Sequence, residues 1–353
     1  MNRKRLLSVT ASAVATIVTA SPGAAHAGAG IGAQVCAIGT AGVGQQGTLI
    51  CNDVLTGTNT QSINLSATVA AAGGIAGSLA RHDDLVLVTN QAGGATLLRE
   101  SSGWLMSPVT LQTGGEGSLS GALSERGAYV LTGTRLLFFP AGQTVASSSQ
   151  SLLKGDGSAA QVALAGGYAY VSEKNGSLEA FPLADDGNIA SAATLVAGIP
   201  AGVIVGITGV DELVVAPIAH LATNPNQSAI SVAYGLSLVQ LVQTKEVAAC
   251  WAAHGDREVC ISNPGSMTVS CGHVSPGGFL SYTGAAASPT GESVFDLDFR
   301  KGLVGILATN AGSPVMLIYS RAEDNSDFLA PLSQFPLGAA SATGALLLPP
   351  VSK

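Results

Sequence analysis

Three polar residues of this chain carry the side chains that hydrolysis of a carbonyl compound requires. His220 begins the segment HLATNPNQS, and Glu173 and Lys174 are adjacent in VSEKNGS. A neutral imidazole can take a proton from an attacking water, a carboxylate can orient the imidazole, and an ammonium group can stabilise the oxyanion. The three residues form a site only if the fold brings their segments together. The alternative for His220 is a solvent-exposed loop histidine.

These segments belong to a repeated unit that is clearest between Gln161 and Val196. The unit contains four apolar runs, at 161–164, 168–173, 177–183 and 189–196. The breaks between the runs hold Gly166-Gly167, Asn175-Gly176 and the segment DDGN at 185–188, which are residues that favour tight hairpin turns. The pattern therefore predicts an antiparallel meander of four strands.

Similar units fill most of the chain. They begin near residue 33 and continue at 74–112, 114–153, 161–196, 199–246, 247–288 and 292–337. One hairpin recurs as VTNQAGGATLL, VSEKNGSLEAF, ISNPGSMTVS and ATNAGSPVMLI, at one or two multiples of about 40 to 47 residues. We therefore predict an all-β, seven-bladed β-propeller, with a two-sheet sandwich or a β-helix as the alternative. We expect the run at 343–348 to close the ring as the outer strand of the first blade.

A propeller places the loops of each blade on two opposite faces, and ligands bind most often at one of them. The face with the blade linkers and the turns between second and third strands is expected to carry Asn90, Glu116, Glu173, Lys174, His220, Asn263, Glu292 and Asn310. We predict His220, Glu173 and Lys174 as catalytic residues on that face. The predicted ligand-binding residues are Asn90, Glu116, Asn263, Glu292 and Asn310. The opposite face is expected to carry His82, Asp83, Arg126, His254, Asp256 and Arg257.

The N-terminal sequence and the composition indicate an exported, globular product. Residues 1–27 have a basic start, an apolar middle and an A-x-A end, which is typical of a secretory signal. We expect residues 28–353 to form a single propeller domain, secreted or periplasmic. A net charge of −7 disfavours a nucleic-acid surface, which would need a basic stripe, and no later apolar run is long enough for a membrane span.

Five cysteines follow the expected signal, and pairing is the first expectation in an exported chain. Cys36 and Cys51 bracket a glycine-rich turn and are placed to bridge a hairpin. For Cys260, the partner is either Cys250 or Cys271, and the sequence leaves both pairings open. Their spacing matches no zinc pattern, so we expect neither a metal nor a cofactor.

Two charged segments can each be interpreted as a functional site or as a simple turn. The segment RHDD at 81–84 resembles a charged constellation, but a solvated hairpin turn is the favoured interpretation. The segment EDNSD at 323–327 has oxygen ligands for calcium, but it lacks the glycine and the final glutamate of a calcium loop. We expect a plain turn there too.

The segment ACWAAHGDREVCISNPGSMTVSC, with its two strands and following hairpin, resembles the lactonase-like seven-bladed propellers. That group contains 6-phosphogluconolactonase and the propeller-type carboxymuconate-cyclising enzymes. The segment AFPLADDGNIASA is similar to a strand, D-G turn and strand of the same family. The resemblance implies a propeller with a catalytic set of histidine, arginine and glutamate around the central channel, and no motif transfers those roles to particular residues here.

Two functions follow as hypotheses. The first is a hydrolase acting on a small lactone or a carbohydrate derivative such as a sugar acid. The second is a non-catalytic propeller that binds an extracytoplasmic protein or a glycan. We expect a monomer with no nucleic-acid or membrane partner.

Overall fold

The computed structural model describes residues 32–40, 46–68, 78–89, 93–287, 292–321 and 329–349. All regular elements in these residues are β-strands, arranged in seven antiparallel sheets. Six sheets have four strands and one has five. The predicted all-β, seven-bladed propeller is therefore confirmed. The expected signal segment and the segment at 323–327 lie outside the described residues.

The strands follow the chain from blade to blade. Blade 1 receives β1 (Gln34–Thr40), β2 (Gln46–Asp53) and β3 (Asn59–Thr68). Blade 2 contains β4 (Leu79–His82), β5 (Leu85–Thr89), β6 (Ala95–Ser101) and β7 (Trp104–Leu111). Blade 3 contains β8 (Ser118–Ser124), β9 (Gly127–Thr132), β10 (Arg135–Pro140) and β11 (Ser148–Ser151). Blade 4 contains β12 (Ala159–Ala165), β13 (Tyr168–Glu173), β14 (Leu178–Pro182) and β15 (Thr194–Leu195).

The second half of the ring continues in the same way. Blade 5 contains β16 (Gly202–Ile204), β17 (Thr208–Val210), β18 (Leu213–Leu221), β19 (Ala229–Tyr234) and β20 (Ser237–Gln243). Blade 6 contains β21 (Trp251–Gly255), β22 (Glu258–Asn263), β23 (Thr268–Val274) and β24 (Leu280–Ala287). Blade 7 contains β25 (Ser293–Arg300), β26 (Leu303–Asn310), β27 (Ser313–Arg321) and β28 (Leu329–Pro336). The last strand is β29 (Ser341–Leu348).

The unit that first suggested the repeat folds nearly as predicted. Gly166 and Gly167 form the two-residue turn between β12 and β13, both with positive φ, and Gly176 lies in the next turn at φ 90°. The fourth strand is shorter than the predicted run at 189–196, because only Thr194 and Leu195 pair with β14. The first three strands and the tight turns between them are thus encoded locally, whereas the short fourth strand follows a longer connection at 183–193.

The C-terminal strand closes the ring, but on the opposite edge from the one predicted. β29 pairs with β1 at the inner edge of blade 1, and the order across the sheet is β29-β1-β2-β3. The prediction of an outer strand was therefore wrong. β1 is buried at all seven residues and needs a partner strand on both of its edges. β2 takes one edge, so the C-terminal strand takes the inner edge and faces the channel.

Each blade buries its apolar faces against its two neighbours. Seven hydrophobic clusters lie in the described part of the chain, and each one joins a pair of adjacent blades. Tyr129, Phe138 and Phe181, for example, fill the cluster between blades 3 and 4. The last cluster joins blade 7 to β1 and β29, so closing the ring completes the cores.

Blade 5 departs from the four-stranded pattern at its inner edge. β18 has nine residues, and two short strands pair with successive parts of it: β17 with Leu213–Val215 and β16 with its far end. The loop after β18 is held by its own backbone hydrogen bonds, including Leu221 N–H to the Gln227 carbonyl at 3.0 Å. The segment that follows His220 is thus a compact extension of this blade.

Two disulfides form, each between directly paired residues of neighbouring strands. Cys36 bonds Cys51, as expected, and Cys260 bonds Cys271. Cys250 is free and buried, and burial raises its pKa to about 12, so it has no reactive thiolate at neutral pH. The two bridges fit an oxidising, extracytoplasmic compartment. No helix in the described residues is long and apolar enough to cross a membrane.

Candidate active site at the channel mouth

The inner strands of all seven blades surround a central cavity of about 480 Å³. It opens on the face that carries the turns between first and second strands, such as Asp83-Asp84 and Asp256-Arg257; we call this the turn face. The opposite face, with the blade linkers and the turns between second and third strands, is the linker face. The polar residues that line the cavity are Arg81, His82, Asp83, Gln161, Thr208, His254, Asp296, Asp298 and Arg300.

Two arginines enter the cavity from blades 2 and 7. Arg81 is the penultimate residue of β4. Its Nε donates to the Asp83 carbonyl at 3.0 Å, and a terminal nitrogen lies 3.8 Å from the Glu100 carboxylate. Arg300 ends β25, and its guanidinium donates to the Leu347 carbonyl at 3.4 Å. Burial lowers the pKa of Arg300, and the nearby Arg81 lowers it further. Since an arginine stays charged in proteins, two positive groups face one space.

Asp298 holds this region together from blade 7. Its two carboxylate oxygens accept the Leu347 N–H at 2.7 Å and the Phe299 N–H at 2.9 Å. Burial raises the pKa of Asp298, against these hydrogen bonds and the opposing charges of Arg300 and Arg81. Asp298 and Arg300 thus bind the N–H and the carbonyl of the same residue, Leu347, in the closing strand β29. The geometry of the channel mouth therefore depends on the closure of the ring.

Close packing of β29 against blade 2 also depends on one glycine. Gly344 has φ 78° and lies at a register shift between β1 and β29. A Cβ there would lie 2.5 Å from the Ser78 hydroxyl oxygen and 2.8 Å from Leu79. Only glycine fits this bulge, which sets the position of Leu347 between blades 7 and 2.

A histidine enters the cavity from blade 6. The Nδ1 of His254 lies 2.7 Å from the hydroxyl oxygen of Thr208, on the inner strand of blade 5. Although its ring reaches the channel, the surrounding strands desolvate it, and this lowers the pKa of His254 despite the nearby carboxylates of Asp211 and Asp256. His254 is therefore neutral at neutral pH. In the tautomer whose Nδ1–H donates to Thr208, Nε2 is left able to accept a proton.

The arrangement combines a neutral imidazole with two guanidinium groups in one cavity. Guanidinium groups bind carboxylate, phosphate or carbonyl oxygens, and a neutral imidazole removes a proton from water. No group of three or more histidine, cysteine, aspartate or glutamate side chains is placed to hold a metal ion in the described segments. The residues at the mouth can therefore bind an oxygen-rich small molecule and activate water beside it.

The predicted catalytic residues lie on the linker face, away from this cavity. His220 is exposed at the end of β18, and its Nδ1 is 2.7 Å from the Pro225 carbonyl oxygen. Glu173 is only 1% exposed and accepts the Ser158 hydroxyl at 2.5 Å, while Lys174 is exposed beside it. Burial raises the pKa of Glu173 to about 7. Among the described residues, no hydrogen bond or ion pair joins His220 to Glu173 or Lys174.

The predicted ligand-binding residues that the structure describes form hydrogen bonds or ion pairs within their own blades. Glu116 accepts the Thr134 hydroxyl at 3.0 Å and lies 2.6 Å from the Arg135 guanidinium. Glu292 accepts the Asn310 amide at 2.7 Å. The Asn263 amide donates to the hydroxyls of Thr268 and Ser270 at 3.2 and 2.8 Å.

These contacts bring together one pair of the predicted residues, Glu292 and Asn310. Glu116 and Asn263 use partners in blades 3 and 6, and Asn90 lies outside the described residues.

His82 and His254 were predicted on the turn face without a role, Arg81 was predicted in a solvated hairpin turn, and Asp298 and Arg300 were not singled out by the sequence. The segment at 81–84 was interpreted as a hairpin turn, and Asp83-Asp84 does form that turn, with Asp83 at φ 49°. Arg81 and His82, however, are the last residues of the inner strand. The position of these residues in the repeat could have revealed them, because a polar residue at the end of an inner strand lies at the channel mouth.

Known proteins resemble this chain in fold but not in sequence. No family model matches, and no curated protein matches. A periplasmic gluconolactonase of Pseudomonas aeruginosa shares 14% identity over 90% of this chain and 99% of its own, with a TM-score of 0.62. A protein of Bacteroides uniformis, provisionally assigned as a 6-phosphogluconolactonase, shares 15% identity over 90% and 99%, with a TM-score of 0.60.

The WD40 propeller domain of Doa1 is also similar, with 11% identity over 83% of this chain and 90% of that chain and a TM-score of 0.55. At such identities the likeness establishes the architecture alone. The chain is a seven-bladed propeller that resembles, distantly, the 6-phosphogluconolactonase type.

Proposed function

We propose that this protein is an exported hydrolase that opens a small lactone or sugar-acid derivative at the channel mouth. One observation carries the proposal: His254, Arg81 and Arg300 come from three blades and line the same cavity of about 480 Å³. One histidine and two arginines that converge in one cavity are the kinds of group that hydrolysis of a carbonyl compound requires. The gluconolactonase and the 6-phosphogluconolactonase assignment among the proteins of similar fold add support for this substrate class.

The proposed reaction uses water as the nucleophile. His254 takes a proton from water as the water oxygen attacks the lactone carbonyl carbon, and the guanidinium groups of Arg81 and Arg300 stabilise the oxyanion. The ring C–O bond then breaks, and the proton passes from His254 to the departing alkoxide oxygen. The product is the open hydroxy acid. Thr208 orients His254, and Asp298 positions the segment of β29 beside Arg300.

A second location for the same chemistry is the linker face. There His220 would be the base, Glu173 would orient it and Lys174 would stabilise the oxyanion. The extended blade 5 supports this version, since it gives His220 a structured and exposed position. The buried position of Glu173 and its bond to Ser158 count against it.

The test is a hydrolysis assay with glucono-δ-lactone, followed by proton release, on the wild type and two single histidine variants. Loss of a general base lowers rates by about 100- to 10,000-fold. We expect H254A to fall in that range and H220A to match the wild type. The reverse result would move the site to the linker face, where E173Q should then fall as well. If the wild type hydrolyses neither this lactone nor 6-phosphogluconolactone, the proposed hydrolase function is refuted.

The alternative function is a non-catalytic propeller that binds an extracytoplasmic protein or a glycan. It is favoured by the apolar side chains exposed on the outer strands, including Trp104, Met106 and Val109 on β7. Exposed apolar groups of this kind often mark contact surfaces. Recovery of a stoichiometric partner from medium or periplasm, with no hydrolysis, would favour this function.

A further inference from the structure

A second cavity opens on the turn face, between blades 5 and 6. Its volume is about 470 Å³, and it shares no lining residue with the channel cavity. It is lined by the turn at 211–213, by Tyr234 and Val239 on one side, and by Arg257 and the turn at 275–278 on the other. The volume falls in the range of small-molecule sites, about 300–1,000 Å³. We call this cavity the interblade cleft.

Two aromatic side chains are exposed at the cleft. Tyr234, in its wall, is 53% exposed. Phe279, directly after the lining residue Gly278, is 63% exposed. The turn that presents Phe279 is fixed, because Phe279 N–H donates to the Ser275 hydroxyl at 3.1 Å and Ser275 N–H donates to the Phe279 carbonyl at 2.9 Å. Two exposed aromatic side chains, one in the wall of a cavity and one directly beside it in the chain, are the kind of apolar surface that marks a binding site.

The polar groups of the cleft are arranged for hydrogen bonding with little net charge. Arg257 and Asp211 form an ion pair at 2.5 Å, which neutralises both. Glu212 lines the cleft next to them, is exposed, and has no side-chain partner among the described residues. Its carboxylate leaves the lining slightly negative, so an anionic ligand is disfavoured.

We propose that the interblade cleft binds a neutral oligosaccharide. A sugar ring has a face of C–H groups and a rim of hydroxyls. The C–H face packs on an aromatic ring, and the hydroxyls pair with carboxylate and guanidinium groups. Tyr234 and Phe279 provide the rings, and Glu212 and the Asp211–Arg257 pair provide the acceptors and donors. The cleft would hold the protein on a polysaccharide while the separate channel mouth remains open.

The test is isothermal titration of the full protein with cellotetraose, maltotetraose and xylotetraose, with tetragalacturonate and tetralysine as charged probes. We expect at least one neutral tetrasaccharide to bind and tetragalacturonate not to bind. Y234A should weaken that binding by about tenfold, because it removes one stacked ring, whereas Y234F should keep most of it. Y234A should hydrolyse lactone as the wild type does.

The matched control is W104A, which removes another half-exposed aromatic side chain, on the outer strand of blade 2. It should bind the tetrasaccharide like the wild type. The proposal is overturned if no neutral tetrasaccharide binds, if tetralysine binds the cleft instead, or if W104A weakens binding as much as Y234A does. Each result is independent of whether the channel mouth is catalytic.

Discussion

On the turn face, Arg81, His254 and Arg300 come from three blades and open into one cavity, whereas on the linker face the polar residues contact their own blades. Glu116 and Glu292 each tie a blade linker to the turn between second and third strands. Both faces have charged and amide side chains, but the linker face uses many of them to hold its loops. Residue type therefore says less about function than whether side chains from different blades converge on one cavity.

The largest expected effect is on kcat/KM, and it should differ between an arginine of the turn face and an arginine of the linker face. R300M should lower kcat/KM for glucono-δ-lactone by roughly 100- to 1,000-fold, the usual cost of losing one oxyanion donor. R135M on the linker face should leave kcat/KM unchanged and cost at most about 1 kcal/mol of stability, since its ion pair is half-exposed. Initial rates and thermal melting of both variants check this. Equal losses of activity would remove the distinction between the faces.

The next effect concerns stability against pH on the linker face. The pKa of Glu173 is about 7 in the folded chain and near 4.5 in the unfolded chain, so the folded state binds more protons between these values. The stability that Glu173 contributes is present below pH 4.5 and is lost as the pH rises through 7. E173Q should remove this fall, which is on the order of 2 kcal/mol. The free energies of unfolding in urea at pH 5 and pH 8 measure this fall. An equal fall in E173Q and in the wild type would contradict the prediction.

A smaller loss of stability is expected from removing a linker-face brace. E292A leaves the amides of Asn310 and Gln334 without their acceptor, so the free energy of unfolding should fall by about 1–2 kcal/mol, with kcat/KM unchanged. The control is E125A on the turn face, where the exposed carboxylate has Arg126 as its one ion-pair partner among the described residues. Its unfolding midpoint in urea should match the wild type. A loss of activity in E292A would mean that the linker face acts in catalysis.

The smallest effect tests the orientation of His254. T208V removes the hydroxyl 2.7 Å from Nδ1 and should lower kcat/KM by about fivefold. Because the pKa of His254 is lowered, wild-type kcat/KM should stay constant down to below pH 6.5 and then fall as His254 takes up a proton. T208V should move this acidic limb, whereas T134V, which removes a hydroxyl bonded to Glu116, should not. A pH profile that is identical in T208V would exclude the orienting role.

Much of the architecture was predictable because it is encoded over short stretches. The glycines at 166–167 and 176 require hairpin turns, and the apolar runs between them have strand length. The position of β29 was predicted wrongly, because a single run of apolar residues does not say which edge of β1 it will cover. The pairing of Cys260 with Cys271 likewise depended on which strands lie side by side.

The sequence by itself determined the seven units, their turns and the need for each unit to bury both faces against neighbours. Only the tertiary structure decided which charged residues meet. Residues 81, 254 and 300 are distant in the chain, and the closing of the ring brings their strand ends to one mouth. The glutamates at 116 and 292 are also polar groups at blade ends, but their hydrogen bonds are to nearby groups of their own blades. Strands and turns arise from local preferences, whereas a site that joins several blades depends on contacts between distant residues that form only when the ring is complete.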